Sequence, residues 1–162
     1  MVRQATAEDL EGINTIENWA VENIFGHFGI SAVELSATCG AFDAARGIYP
    51  WFVADRDGKV IGFARAAAWK AREAYRRSTE IGIYVAPEHH GQGIGRSLYA
   101  ELFGELERMD FHTVIAGITL PNPASVRLHE SFGMTRIGTF PEVGFKFGEW
   151  RSVGYWCRVL GS

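Results

Sequence analysis

The chain has 162 residues, a formal net charge of −3, and 47% hydrophobic and 13% aromatic residues. This length and composition predict one globular domain over residues 1–162, and the small negative charge excludes a global field that recruits nucleic acid or an anionic membrane. No apolar run approaches the roughly 20 residues that span a bilayer, the first residues lack the apolar core of a signal peptide, and two cysteines are too few for a disulfide framework. We therefore expect a cytoplasmic protein.

The first 64 residues predict a strand, helices and a hairpin. Residues 2–5 form the predicted strand, and Thr6 with Asp9 makes a variant capping box at the start of a helix. Residues 21–48 predict a second, less regular helical region, which three glycines interrupt. A hairpin is expected over residues 51–64, because two apolar runs flank a turn sequence that ends in Gly58.

The segment from residue 79 to 97 is the most informative part of the chain. A run rich in β-branched residues over 79–85 predicts a strand, glycines alternate at 91, 93 and 95, and a helical pattern begins directly afterwards. The first turn of a helix leaves main-chain N–H groups unpaired and carries the positive end of the helix dipole, and glycines let a ligand approach closely. The turn therefore predicts a phosphate or pyrophosphate site, with a plain glycine turn as the alternative.

Two common phosphate-binding motifs do not fit this turn. A Walker loop needs a glycine where His90 stands, and the dinucleotide fingerprint needs one at Arg96. Metal binding is not expected either, since His89 and His90 are adjacent and would project in opposite directions from an extended chain. The remaining interpretation is a different kind of pyrophosphate loop.

The second half of the chain alternates helices and strands. An amphipathic helix follows the glycines, and residues 113–118 predict a buried strand parallel to the 79–85 strand, because a helical crossover separates the two. Residues 123–132 predict a short helix that Gly133 ends. Residues 134–160 predict two antiparallel strands around a glycine-rich bend. The elements together predict one mixed α/β domain.

The glycine turn resembles the acyl-CoA loop of the GCN5-related N-acetyltransferases (GNAT), which is written Q/R-x-x-G-x-G/A. Its last four positions are met here by residues 92–95, whereas His90 stands in place of Gln or Arg. The resemblance implies the GNAT acyl-CoA N-acyltransferase fold, an α/β (α+β) fold with a mixed central sheet whose parallel strands splay apart between flanking helices. It also implies acetyl-CoA as co-substrate, held by Tyr84, Val85, His90, Gly91, Gln92, Gly93, Ile94, Gly95, Arg96, Ser97, Asn122 and Ser125.

A second segment strengthens the resemblance. Residues 120–134 resemble the family pattern N-x-x-[AS]-x-x-[LV]-[YH]-x-x-x-G-F/M, in which Asn122 would hydrogen-bond the pantetheine arm and Ser125 would lie near the cofactor. A helix cap for Asn122 and a surface position for His129 are the alternatives. From about residue 49 to 160 the chain is similar to the phosphinothricin and methionine sulfoximine acetyltransferase group, on segments 69–75, 79–80, 84–87, 120–133 and 143–150.

The resemblance assigns catalysis to Glu80 and His129. Glu80 would take a proton from the substrate α-amine, directly or through water, and partial burial would raise its pKa toward a useful value. A main-chain N–H beside Val85 could stabilise the developing oxyanion between splayed strands. No tyrosine stands at the family position that protonates the leaving thiolate, so either His129 does this or the thiolate leaves unaided. A solvated charge at a strand end is the alternative for Glu80.

A local cationic segment predicts substrate recognition. Lys70, Arg72, Arg76 and Arg77 place four of the 16 basic residues within eight positions. Lys70 and Arg72 could bind a carboxylate or phosphinate, with Tyr75 supplying a hydroxyl, whereas the other two arginines are expected to face solvent. The resulting prediction is an N-acetyltransferase for a small amino-acid-like amine. The alternatives are a non-catalytic CoA-binding sensor and an acetyltransferase for a protein N-terminus or polyamine.

The tail predicts a homodimer. Five aromatic residues lie within twelve positions, and an exposed apolar patch of that size usually marks an interface. The resembling enzymes pair as two-fold dimers through this region. The alternative is that these aromatic residues, Phe145, Phe147, Trp150, Tyr155 and Trp156, complete the core of the single chain.

Overall fold

In a computed structural model that describes residues 1–161, the chain forms one seven-stranded mixed sheet with helices on both faces. The strand order is β1-β2-β3-β4-β5-β7-β6. The strands are β1 (Val2–Gln4), β2 (Trp51–Arg56), β3 (Lys59–Ala68), β4 (Ser78–Val85), β5 (Thr113–Leu120), β6 (Thr135–Lys146) and β7 (Glu149–Val159). The helices are α1 (Leu10–Asn23), α2 (Leu35–Ala45), α3 (Ile94–Arg108) and α4 (Pro123–Ser131).

The predicted capping box is present, although it begins with a short 3-10 turn. The Thr6 N–H and hydroxyl donate to Asp9 Oδ2 at 2.8 and 3.1 Å, and Arg3 forms a bidentate pair with the same carboxylate. The turn at Ala7–Asp9 then passes directly into α1. Satisfied N–H groups and a neutralised carboxylate therefore fix the start of the first helix.

The prediction for residues 21–48 was only partly correct. The first helix continues to Asn23, residues 24–34 are irregular, and α2 contains Gly40 in its interior instead of being interrupted by it. Side chains of α1 fix the irregular stretch, since Val33 donates its N–H to Asn18 Oδ1 at 2.7 Å and its carbonyl accepts from Asn14 and Asn18. Side-chain hydrogen bonds thus replace helical ones in this segment.

The strand-turn-helix pattern and the crossover were predicted correctly. The β2–β3 hairpin turns at Asp57 and Gly58, which both have positive φ angles, as its two-residue turn requires. Strands β4 and β5 are parallel but pair only over Ser78–Glu80 and Thr113–Ile115. Beyond these residues the two strands diverge, as the resemblance implies.

Two apolar cores lie on opposite faces of the sheet. Helix α3 covers one face with buried side chains at helical spacing, and α1 with α2 covers the β1–β4 half of the other. Trp156 belongs to the first core and is 3% exposed, whereas Trp150 is 59% exposed. The tail aromatics are therefore divided between the core and the surface. Within residues 1–161, no helix has the length and apolar character needed to cross a membrane.

Candidate active site

The largest group of predicted site residues meets in one cleft where β4 and β5 diverge. This main cleft has a volume of about 360 Å³. Its lining includes most of the predicted cofactor residues and one predicted catalytic residue: Tyr84, Val85, His90, Gly91, Gly93, Ile94, Gly95, Asn122, Ser125 and His129. The segments from the two halves of the chain thus converge as the sequence predicted.

The end of β4 presents unpaired main-chain groups to the main cleft. Ala86 donates its N–H to Ile61 O at 2.9 Å on the β3 side, so alternation along the strand directs the N–H and C=O of Ile83 and Val85 toward β5. No ladder to β5 exists at these residues, because the parallel pairing ends at Glu80. The Val85 carbonyl instead accepts a hydrogen bond from His90 Nε2 at 2.8 Å. The Val85 N–H therefore remains available to a ligand.

The glycine turn has the geometry of an anion cradle. Gly91 and Gly93 have φ angles of 74° and 78°, and a Cβ at either position would meet open space. Gly93 is the N-cap of α3, and its carbonyl accepts the first helical bond from Ser97 N–H. Residues 94–96 therefore have no helical partner for their N–H groups, which lie at the positive end of the helix dipole. These features fit a pyrophosphate group.

Three predicted cofactor residues, Gln92, Arg96 and Ser97, are not part of the lining of the main cleft. The side-chain oxygen Oε1 of Gln92 accepts hydrogen bonds from both terminal guanidinium nitrogens of Arg56 at 3.2 Å. The Ser97 hydroxyl donates to the main-chain oxygen of Gly93. Arg96 is exposed. The Ser97 N–H already donates to Gly93 O, so among these three residues only Gln92 and Arg96 can offer a main-chain N–H to a ligand.

The first turn of α4 forms the opposite wall. Asn122 Oδ1 accepts the Ser125 N–H at 3.1 Å, so the side chain is a helix cap as well as part of the cleft lining. The alternative role of Asn122 as a helix cap is therefore correct for its side-chain oxygen.

His129 is buried and belongs to a polar pair that the sequence did not reveal. It is 4% exposed, which excludes the surface alternative. Its Nδ1 lies 2.7 Å from Ser125 O and must donate to it, so Nε2 accepts the Tyr99 hydroxyl at 2.8 Å. Burial lowers the pKa of His129 against the opposing effect of the Ser125 carbonyl, and burial raises the pKa of Tyr99. The lowered pKa favours the neutral imidazole at neutral pH, and Tyr99 also belongs to the lining of the main cleft.

Glu80 lies in an adjoining side cleft of about 420 Å³, which shares Gly26, Gly117 and Thr119 with the main cleft. Burial raises the pKa of its carboxyl group, although the charge of Lys70 opposes this shift, and the predicted direction is therefore correct. Gly82 lies two residues further along the same face of β4. A Cβ at this position would lie 4.0 Å from the Tyr84 ring and close to no other atom. The carboxylate therefore has space beside it, toward the main cleft.

The predicted substrate residues lie outside both clefts. Lys70, Arg72 and Tyr75 are exposed, and the Lys70 ammonium lies 5.2 Å from the Trp69 ring centroid. Arg77 pairs with Asp110 at 2.6 Å on the surface, as expected for a solvent-facing residue. The electrostatic influence of Lys70 on Glu80 is the link between this segment and the site.

A buried ionic network behind the site was not predicted. Glu17 on α1 is 4% exposed and accepts from Arg65 at 2.6 Å and from His27 Nε2 at 3.2 Å. Burial disfavours its charge, but the hydrogen bond from His27 and the charge of Arg65 outweigh burial and lower the pKa of Glu17 to about 2. His27 in turn accepts the Gly29 N–H at 2.9 Å. The network fixes the irregular segment beside the clefts. Among residues 1–161, no three His, Cys, Asp or Glu side chains are grouped to hold a metal ion.

Comparison with known proteins agrees with this geometry. The sequence profile of the acetyltransferase (GNAT) family matches residues 13–134. The chain is 38% identical to the phosphinothricin N-acetyltransferase of Streptomyces viridochromogenes, over 97% of this chain and 86% of that one. It is 35% identical to the L-methionine sulfoximine/L-methionine sulfone acetyltransferase of Salmonella typhimurium, over 95% and 91%.

A solved structure gives the same result. The phosphinothricin acetyltransferase of Sinorhizobium meliloti in complex with acetyl-CoA superposes with a TM-score of 0.96 at 36% identity, covering 99% of this chain and 88% of that one. The fold, the glycine turn and the splayed strands therefore have one explanation: the chain belongs to the GNAT family of acetyltransferases.

Proposed function

We propose that the protein transfers the acetyl group of acetyl-CoA to the α-amine of a small amino-acid-like substrate, of the phosphinothricin or methionine sulfoximine and sulfone type. The observation that carries the proposal is the joining of two clefts: one with an anion cradle and unpaired strand edge, the other with a carboxylate of raised pKa. The relatives that are named for these substrates match 97% and 95% of this chain.

The main cleft suits a long, thin acyl carrier. The N–H groups of residues 94–96 and the glycine turn would hold the pyrophosphate. The free edge of β4 at Ile83 would pair with an amide of the pantetheine arm, and Asn122 and Ser125 would border the arm from α4. The remaining predicted contacts, Tyr84, His90, Gln92, Arg96 and Ser97, would line or support this path.

Glu80 would accept the proton that the amine must lose. Nitrogen attacks the thioester carbonyl carbon, the C–N bond forms, the C–S bond breaks, and one proton passes from the amine to Glu80, directly or through water. A raised pKa makes this carboxylate a better base than an ordinary surface one. The Val85 N–H, directed into the gap, would stabilise the negative charge that develops on the acetyl oxygen.

The His129–Tyr99 pair would stabilise the leaving thiolate. The Tyr99 hydroxyl and His129 both line the main cleft and share a 2.8 Å hydrogen bond. Burial raises the pKa of Tyr99 further above that of a thiol, so the hydroxyl would keep its proton. Turned from His129 Nε2 toward the sulfur, it would donate a hydrogen bond to the thiolate, which then takes its proton from solvent. This assignment gives the catalytic histidine a partner from α3.

Lys70, Arg72 and Tyr75 would bind the anionic or polar head of the substrate. They lie on the segment next to β4, and the charge of Lys70 already acts on Glu80. Their exposure is compatible with binding at the mouth of the side cleft, where a guanidinium can hold a carboxylate or phosphinate in a bidentate manner. Acetylation of phosphinothricin in cells would confer resistance to it. A cytoplasmic location is part of this proposal, because acetyl-CoA is made inside cells.

We also propose a homodimer through the β6–β7 hairpin. Phe145, Phe147 and Trp150 are 56%, 51% and 59% exposed in the single chain, and Ile137 and Phe140 are more exposed still. Apolar side chains so close together favour burial against a second copy. Trp156 is buried in the core and so does not belong to this exposed patch, whereas Phe145, Phe147 and Trp150 at the tip of the hairpin do.

The direct test is the turnover of Glu80→Gln against a panel of amines. We expect turnover to fall by roughly 10²–10⁴-fold with the affinity for acetyl-CoA retained, and the loss to shrink at higher pH where free amine accumulates. The exposed Glu101→Gln on α3 is the matched control. Wild-type turnover in Glu80→Gln would remove the base assignment.

The substrate panel separates the main proposal from its alternatives. It should include phosphinothricin, methionine sulfoximine, methionine sulfone, a polyamine and a peptide with a free N-terminus, with release of CoA as the signal. Binding of acetyl-CoA without turnover on any amine would favour a CoA-binding sensor. Preference for the peptide or polyamine would reject the amino-acid specificity while keeping the reaction.

A further inference from the structure

Lys146 has an unusual environment for a lysine near an exposed hairpin tip. It ends β6 and is 3% exposed, and its ammonium group donates to the main-chain oxygens of Ile24 and His27 at 2.8 and 2.5 Å. Lysine is almost never fully buried without partners. Here the partners are carbonyl groups more than 100 residues earlier in the chain, in the irregular segment after α1.

The same segment, residues 24–28, touches the hairpin at further points. The Phe25 ring meets Phe147 edge to face at 5.2 Å, and the Arg151 guanidinium lies 3.9 Å from the centroid of the same ring. The Phe28 ring packs directly on Gly144, where it fills the space that a Cβ would need. Residues 24–28 are thus held from the hairpin side by one buried cation and three ring contacts.

Residues 24–28 also form the wall where the two clefts meet. Ile24 and Gly26 line the main cleft, and Gly26 and Phe28 line the side cleft that contains Glu80. The Gly26 carbonyl additionally accepts the Tyr84 hydroxyl at 3.3 Å. A shift of this segment therefore changes the side cleft, while the glycine turn that suits pyrophosphate lies on separate elements.

We propose that Lys146 is a positioning residue for the amine substrate: its ammonium group holds residues 24–28 as the wall of the side cleft and thereby sets the affinity for the amine. The inference rests on the proposed function, since it assumes that the side cleft receives the amine. Loss of the ammonium leaves two carbonyls without their donor and frees the segment. The glycine turn that would hold the pyrophosphate and the base Glu80 lie on other elements, so acetyl-CoA affinity and the chemical step should change far less than the affinity for the amine.

The test is Lys146→Met, which keeps the length of the side chain and removes the donors. We expect the KM for the amine to rise at least about tenfold, because hydrogen bonds to charged groups are among the stronger ones. The kcat and the acetyl-CoA Kd from calorimetry should each stay within about threefold of the wild-type values. Lys59→Met, at an exposed position at the start of β3, is the matched control.

A second variant approaches the segment from its other side. Gly144→Ala brings a Cβ into the Phe28 ring, which is partly exposed and can move, so this variant should fold even where Lys146→Met does not. It should raise the KM for the amine with kcat retained. An unchanged KM in Gly144→Ala together with an unchanged KM in a folded Lys146→Met, or a parallel loss of acetyl-CoA affinity, overturns the inference.

Hydrogen exchange separates this inference from the proposed function. Amides of residues 24–28 should exchange faster in Lys146→Met than in the wild type, with α3 amides as the internal reference. Should the wild type acetylate no amine, the proposed function fails, and the exchange result alone then judges whether Lys146 holds the segment. Equal exchange in both proteins overturns the role of Lys146.

Discussion

The buried carboxylate of Glu17 makes the free energy of unfolding depend on pH in a way that one substitution can isolate. Glu17→Gln keeps the size of the side chain and removes its charge. Arg65 and His27 then lose the carboxylate that accepts their hydrogen bonds in a site that is 4% exposed. We expect the variant to be less stable than the wild type at neutral pH.

The magnitude follows from the pKa of Glu17. A fall from 4.5 to about 2 on folding corresponds to at most about 3–4 kcal/mol, at 1.36 kcal/mol for each pKa unit. Because the folded pKa is lower than the unfolded one, this contribution is complete above the unfolded pKa of 4.5 and is lost as the pH falls toward 2. The difference between wild type and variant should therefore be about 2–3 kcal/mol at pH 7 and about half as large near pH 3.

Urea unfolding of both proteins at a series of pH values measures this difference directly. Taking the difference cancels the contribution of other carboxylates, such as Asp9, that the variant retains. Glu22→Gln, at an exposed position on the same helix, is the control and should lie within about 0.5 kcal/mol of the wild type throughout. A difference for Glu17→Gln that is below 0.5 kcal/mol at pH 7, or that grows as the pH falls, would refute the reasoning.

Three further predictions concern the ligand sites and the assembly. Gly93→Val should weaken acetyl-CoA binding by at least about tenfold in calorimetry, because a β-branched residue is strained at a φ of 78°, whereas Gly104→Ala within α3 should bind normally. Arg72→Ala should raise the KM for an anionic amino acid far more than for a neutral primary amine, and an equal rise for both would mean that Arg72 only faces solvent. Light scattering at micromolar concentration should give twice the 18.0 kDa chain mass, and a single-chain mass would contradict the proposed dimer.

Local sequence patterns were enough to predict the elements that build the main cleft. Alternating glycines after a β-branched run specify a strand, a turn and a helix start, and the crossover that follows makes the next strand parallel. The amphipathic pattern of α3 likewise predicted its buried face. These features depend on residues close together in the chain, where backbone sterics and periodicity dominate.

Contacts between distant segments could not be predicted in this way. Tyr99 has the spacing of a core residue on α3, and only the packing of α3 against α4 reveals its hydrogen bond to His129. Gly40 suggested an interruption, yet the tertiary contacts of α2 outweigh the cost of about 1 kcal/mol for a glycine within a helix. The burial of Lys146 gave no signal in the sequence, because its partners are main-chain oxygens, which every residue possesses.

The short pairing between β4 and β5 has a consequence for which molecules can enter the protein. A strand with free N–H and C=O groups usually attracts other strands at the rim of a sheet, but this free edge lies in the middle of one. The gap opens into the main cleft of about 360 Å³ between α3 and α4, a space that suits a narrow chain with its own amides. The unpaired edge of β4 thus selects for a small molecule that carries amides and can hydrogen-bond where a neighbouring strand would otherwise pair.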